Sequence, residues 1–213
     1  MINNHENYGQ NDLQDQFGLS LRVMENLCRY EGMLQKWQRK INLVGPKTLD
    51  DFWRRHILDS LQIIKHIPET AKILVDLGSG AGLPGIILAI AADQKTDFNV
   101  HLVESDQRKA VFLREVNRET NAGVTVHCQR IENIENLNAD VITARALAPL
   151  ENLLKLSQHI QHKASTMLFL KGENYQQELT QADKSWTMNV SEIPSLSGGS
   201  GCLLKIKECV HRG

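Results

Sequence analysis

A doubly wound α/β sheet, mostly parallel and seven-stranded, with a helical addition in front of it, is the fold class that this sequence of 213 residues predicts. Three observations carry that expectation. From residue 72 onward, short apolar runs of strand length alternate with longer amphipathic stretches of helical period, the pattern of βαβ units. The first of those runs, Ile73 to Val75, ends in Asp76 and breaks into Gly78-Ser-Gly80-Ala-Gly82-Leu-Pro-Gly85 before a second apolar run, Ile86 to Ile90. Residues 19–70, in contrast, read as helix twice in succession with no strand between.

Residues 1–18 are polar, rich in Asn, Gln and Asp around isolated Leu13 and Phe17, and are expected to form a flexible tail whose first ten residues fray. From Leu19 the apolar positions Leu21, Met24, Leu27, Cys28, Leu34, Trp37 and Ile41 recur at helical steps, predicting one long helix ended by Gly45-Pro46. A second helix is predicted from Thr48, where Thr48-x-x-Asp51 has the form of a capping box, to Pro68. The α/β domain then spans 71–213, with strands over 72–77, 98–104, 123–128, 139–144 and 165–170 and helices over 84–92, 106–120 and 149–161. A short helix over 174–182 and two strands, 186–190 and 202–206, joined across the Ser/Gly-rich turn 195–201, complete it.

Formal net charge is −1, so the chain is not a polyanion-coating protein; any nucleic acid must be held by local patches. Cys28, Cys128, Cys202 and Cys209 include no C-x-x-C pair, and no secretory or membrane-length apolar run is present, which predicts reduced thiols and a cytoplasmic location. Neither His159-x-x-His162 nor His127-Cys128 has the spacing of a zinc site, and no metal is expected.

The glycine stretch formally matches a dinucleotide fingerprint, yet Asp76 ends the strand and Pro84 interrupts the triad. An acid there faces a pyrophosphate unfavourably and suits a ligand with positive charge. S-adenosylmethionine, with its sulfonium and ammonium, is such a ligand. Asp76 can order the loop or reach the amino-acid part through water, while Gly78, Gly80 and Gly82, with Ser79 between them, let the backbone close around it. Glu104 ends the next strand, where a carboxylate can accept from two ribose hydroxyls. Ile131 and Glu132, in Gln129-Arg130-Ile131-Glu132, stand where an adenine would lie. At the end of the fourth strand, where the methyl meets its acceptor, there is no Asn/Asp-Pro-Pro-aromatic run and no nucleophilic cysteine; there is Arg145, a fixed cation with five donors.

These residues, with Trp37-Gln-Arg-Lys-Ile-Asn-Leu-Val44, Arg55-His-Ile-Leu-Asp-Ser-Leu61, Arg108-Lys109, Phe112-Leu113 and Leu170-Lys-Gly172, give a chain that resembles the bacterial small-subunit ribosomal RNA guanine-N7 methyltransferases, also called glucose-inhibited division protein B. The resemblance implies a Rossmann-like class I methyltransferase that moves a methyl group from S-adenosylmethionine to N7 of one guanine in the helix-18 loop of 16S rRNA. It places family cofactor contacts on Gly78, Leu83, Ile131, Glu132 and Arg145. The partner is 16S rRNA, in the small subunit or an assembly precursor, and the protein is expected to be a monomer.

Guanine N7 carries an unprotonated lone pair, so no general base is expected and Arg145 is assigned a positioning role. Lys36, Arg39, Lys40 and Lys47 fall in a run free of acids between Glu31 and Asp50, followed by Arg54, Arg55 and His56; with Lys171 they are the expected RNA contacts, and Arg108, Lys109, Arg114 and Arg118 stand second to them. A nicotinamide-dependent oxidoreductase is disfavoured by Asp76, and a non-catalytic RNA-binding module by the full cofactor set.

Overall fold

The computed structural model describes residues 8–93 and 97–212. Seven strands form one sheet in the order β3-β2-β1-β4-β5-β7-β6. They are β1 (Ile73–Leu77), β2 (Asn99–Val103), β3 (Thr125–His127), β4 (Ala139–Arg145), β5 (Gln161–Lys171), β6 (Trp186–Pro194) and β7 (Cys202–His211). The first five are parallel, while β7 runs antiparallel to both β5 and β6. The strand order reverses between β1 and β4, and in such sheets the crevice beyond the carboxyl ends at that point receives ligands.

Strand residues alternate between two cores, as the period of two requires. Leu74, Leu102, Val141 and Leu168 face one side, where they meet α2 (Leu21–Gln38), α4 (Gly85–Ala91) and α5 (Gln107–Thr120). Val75, Leu77, Val103, Ile142 and Phe169 face the other, against α6 (Leu150–Ser157) and, through Ala182, α7 (Tyr175–Ala182). The N-terminal helices are therefore continuous with the core of one sheet face. Helix α4 is buried from Gly85 to Ile90, which explains an apolar run without a polar stripe.

Several boundaries differ from the sequence expectation. Residues 10–17, expected in a flexible tail, form helix α1 (Gln10–Phe17), and Leu13 is fully buried in the helical core; one apolar residue per turn is too weak a periodic signal to reveal this. The fraying expected of residues 1–7 lies outside the described residues.

Helix α2 stops at Gln38, well short of Gly45, because the Gln38 side chain turns back on the following chain: its Nε2 donates to Val44 O at 2.8 Å and its Oε1 accepts from Leu43 N at 2.9 Å and Val44 N at 3.1 Å. These bonds replace helical ones and hold 39–44 as a loop. The expected capping box at Thr48 does not form; the Thr48 hydroxyl donates to Gly45 O at 2.6 Å and Asp51 pairs with Arg54. The helix predicted from Thr48 is broken into a π-helical turn, Trp53–Leu58, then α3 (Asp59–Leu61), then a 3-10 turn, Gln62–His66. A widened turn of this kind is frequent at functional sites. Strands β6 and β7 extend well past the predicted 186–190 and 202–206, since polar residues on the exposed positions of an edge pair hide the alternation.

Truncating Leu13 to Ala tests whether α1 belongs to the folded core. The expected result is a loss of about 2–4 kcal/mol in denaturant unfolding, whereas a free tail would give no change.

Candidate active site

The loop between β1 and α4 is shaped from beneath. Asp76 is fully buried; Thr143 Oγ1 on β4 donates to its Oδ1 at 2.7 Å and the Gly85 amide donates to its Oδ2 at 3.3 Å. Burial pushes the Asp76 carboxyl up to about 6 against the opposing pull of these bonds. A side chain at Gly85 would place Cβ 2.7 Å from Asp76 Cβ and 2.5 Å from Leu102 Cδ2, so glycine is required for this approach. Gly78, at φ +62°, carries Leu147 on its surface, and a Cβ there would overlap Leu147 Cδ1. From the N-terminal side, the buried Tyr30 hydroxyl of α2 donates to Ala81 O at 2.8 Å.

Above the loop lies a cavity of about 370 Å³ lined by Gly78, Ser79, Gly80, Leu83, Glu104, Ile131, Glu132 and Arg145. Eight of the ten predicted cofactor positions are thus brought together. Asp76 and Gly82 are not among the lining residues: Asp76 is sealed under the loop, and Gly82, at φ +88°, packs against Ile86 and Leu113. Their role is to order the loop. Glu104 accepts from Gly80 N at 2.8 Å through Oε2 and from Asp106 N at 2.7 Å through Oε1, so it braces the loop while each oxygen retains capacity for another donor. Leu43, Val44 and Leu147 also line the cavity and were not singled out in the sequence. The first two reach it through the loop that Gln38 folds, a feature with no periodic signature.

Arg145 ends β4 and lies between this cavity and a larger one of about 1030 Å³. Its Nη1 donates to Asp59 Oδ2 at 3.1 Å and to Arg55 O at 3.1 Å, and its Nη2 lies 2.8 Å from His56 Nδ1. A guanidinium has no acceptor, so His56 Nδ1 must accept and its proton must sit on Nε2. That Nε2 lies 2.8 Å from Thr48 Oγ1, whose own proton goes to Gly45 O, giving a consistent chain of donors. Burial first, then the positive charges of Arg145 and Arg55, pushes the His56 imidazole down to about 3, opposed by Asp51. His56 and Asp59 share a motif already evident in the sequence; their spacing of three on a helix was the available signal that both meet one target.

The predicted RNA contacts divide. Lys36, Arg39, Lys40, Lys47 and Arg55 are exposed. His56 is buried with both ring nitrogens engaged, and Lys171 Nζ is held by Glu178 Oε2 at 2.6 Å and Ala148 O at 2.9 Å, so neither is placed to meet a phosphate. Both were expected RNA contacts, and a basic residue type reports neither the carboxylate that pairs with Lys171 nor the burial and neighbouring arginines that keep His56 neutral. Arg54 is paired with Asp51. Of the residues ranked second, Arg108, Arg114 and Arg118 are exposed on α5, and Lys109 lines both cavities. Among the described residues no group of three His, Cys, Asp or Glu is gathered to hold a metal, all four cysteines are free, and no helix is long and apolar enough to cross a membrane.

A seven-stranded sheet with its last strand inserted antiparallel, a glycine loop after β1 and an acid after β2 define the fold of S-adenosylmethionine-dependent class I methyltransferases. The solved structure of such an enzyme from Aquifex aeolicus aligns with a TM-score of 0.56 at 16% identity, covering 75% of this chain and 94% of that one. The chain belongs to the GidB family, rRNA small subunit methyltransferase G, whose family model matches residues 23–203. Curated relatives named ribosomal RNA small subunit methyltransferase G are 49% identical in Rhodospirillum centenum, over 95% of this chain and 92% of the relative, and 47% identical in Paramagnetospirillum magneticum, over 96% and 98%.

The His56 assignment has a signed consequence. A folded-state pKa below the ordinary value of 6.5 means that stability from the neutral ring is intact above pH 6.5 and is lost as pH falls toward the folded-state value. Nitrogen NMR of the folded protein should show a neutral, Nε2-protonated ring from pH 8 down to pH 5; a doubly protonated ring in that interval would contradict the donor chain.

Proposed function

We propose that this protein transfers the methyl group of S-adenosylmethionine to N7 of one guanine of 16S rRNA, in the helix-18 loop. The observation that carries the reading is the pair of cavities meeting at Arg145, the smaller built as a cofactor cradle and the larger edged by Arg54, Arg55 and Lys109. The cradle suits the cofactor: Glu104 offers lone pairs to a ribose, Ile131 an apolar surface to an adenine, and the glycine loop backbone close approach. Names of the relatives support an acceptor in small-subunit rRNA.

When bound, the cofactor supplies an electrophilic methyl on a sulfonium, which passes to the N7 lone pair while the C–S electron pair stays on sulfur. No proton moves. The protein's task is alignment and exclusion of water. This accords with His56 and Asp59 being committed to Arg145, since neither then serves as a general base. Three hydrogen bonds occupy part of the Arg145 guanidinium, and its other N–H donors are available to the guanine O6 edge or to the cofactor. Lys36, Arg39, Lys40, Lys47 and Arg55 supply the sequence-independent attraction to phosphate.

Labelled-methyl transfer to whole small subunits, large subunits and deproteinised rRNA in parallel, followed by chemical cleavage at N7-methylguanine, tests this. One labelled guanine in small-subunit rRNA is expected, with Arg145→Ala at least about tenfold slower, the loss of one charged hydrogen bond. Absence of label from every rRNA would overturn the reading. Charge reversal of Lys36 and Lys40 to Glu should raise KM for the rRNA substrate, most at low salt and less as salt screens the phosphates, with binding of S-adenosylmethionine unchanged.

A further inference from the structure

Arg145 is held by a carboxylate whose second oxygen belongs to a different part of the chain. Asp59 Oδ2 takes Arg145 Nη1 at 3.1 Å. Asp59 Oδ1 takes the Ser197 hydroxyl at 2.9 Å and Gln62 Nε2 at 2.9 Å, with Ser195 Oγ 3.3 Å away. Ser195 and Ser197 lie on the Ser/Gly-rich loop between β6 and β7, far along the sequence from Asp59, and their hydroxyls are 2.8 Å apart. The loop is pinned once more where Leu196 N donates to Gln62 Oε1 at 2.8 Å, and it turns at Gly198 and Gly199, both at positive φ. Arg145, Asp59, Ser195 and Ser197 all line the larger cavity.

We propose that Asp59 is a positioning residue for Arg145, and that the Ser195 and Ser197 hydroxyls make its grip conditional on the β6–β7 loop being docked. The inference rests on the reading of Arg145 given above. It follows from the geometry of a carboxylate: its two oxygens are rigidly linked, so fixing Oδ1 against a hydroxyl fixes the direction in which Oδ2 receives a donor. With the loop lifted, Oδ1 keeps Gln62 alone, and the carboxylate regains torsional freedom about its bond to Cβ. Arg145 then samples positions in which its uncommitted donors no longer point at one place, and misplacement by about 1 Å is enough to cost on the order of 100-fold in rate. The loop forms one wall of the acceptor cavity, so a substrate entering there meets the element that sets the arginine.

The test compares the full-length protein with Ser195→Ala/Ser197→Ala and with Asp59→Asn, in the wild-type and Arg145→Lys backgrounds. Methyl transfer to whole small subunits is measured beside calorimetric binding of S-adenosylmethionine, thermal unfolding, and hydrogen exchange of segments 53–62 and 195–201. For the double serine variant, kcat should fall by at least about tenfold, the loss of hydrogen bonds to a charged group, with KM for the subunit and cofactor affinity within about twofold. Exchange should rise in both segments, and Ser197→Thr should retain wild-type kcat. In the Arg145→Lys background the serine changes should cause no further loss, because the effect runs through the guanidinium. Asp59→Asn should reproduce the kcat effect; if that variant unfolds, the serine pair carries the test alone. Wild-type kcat in the double serine variant, or an equal loss in both backgrounds, would overturn the proposal. If the wild-type protein methylates no rRNA, the proposed function fails; the coupling of the β6–β7 loop to Asp59 is then read by exchange alone, and unchanged exchange of segment 53–62 in the double serine variant overturns it.

Discussion

A carboxyl group sealed inside the sheet governs the site. Asp76 stands at the end of β1 with no exposure, and its burial is offset by a hydroxyl from the neighbouring strand and an amide from the helix that follows. Those two bonds tie β1, α4 and β4 to one side chain. The demand for a glycine at 85 follows from it, since any Cβ there would strike the carboxyl group. The loop that rises over this anchor is therefore narrow and directed, and its backbone is brought to the floor of the cavity. Asp76 shapes the loop that lines the cavity without itself lining it.

The same economy recurs at Arg145. Two side chains from the helical segment after α2, a backbone carbonyl and, through Asp59, two serines of the β6–β7 loop converge on one guanidinium. Segments from both ends of the chain are thereby joined to the carboxyl end of a central strand. Tyr30 makes a parallel link from α2 to Ala81 in the glycine loop. The N-terminal helices are part of the machinery, packed in the core of one sheet face.

The alternation of strands and helices was legible because buried parallel strands are apolar throughout and the intervening helices keep one wet face. The glycine loop, Glu104 and Ile131 were legible because the fold prescribes their places at strand ends. What escaped was set by side chain–backbone bonds with no periodicity. Gln38 ends α2 early and thereby brings Leu43 and Val44 to the cavity, and Thr48 bonds Gly45 and His56 where a helix cap was expected. The pairings of Lys171 and His56 are hidden for a related reason: their partners, Glu178 and Arg145, are remote or unmarked in sequence, and charge patterning reports neither. Asp59 lay inside a noticed motif, yet its partner stands 86 positions away.

Leu147 rests on Gly78 and borders both cavities, beside Arg145 and Ala146. Position 78 and position 147 consequently share a single volume. Position 78 is held to glycine twice over, because its φ of +62° disfavours any side chain and Leu147 fills the volume a Cβ would take, so a smaller residue at 147 would relieve only the second constraint.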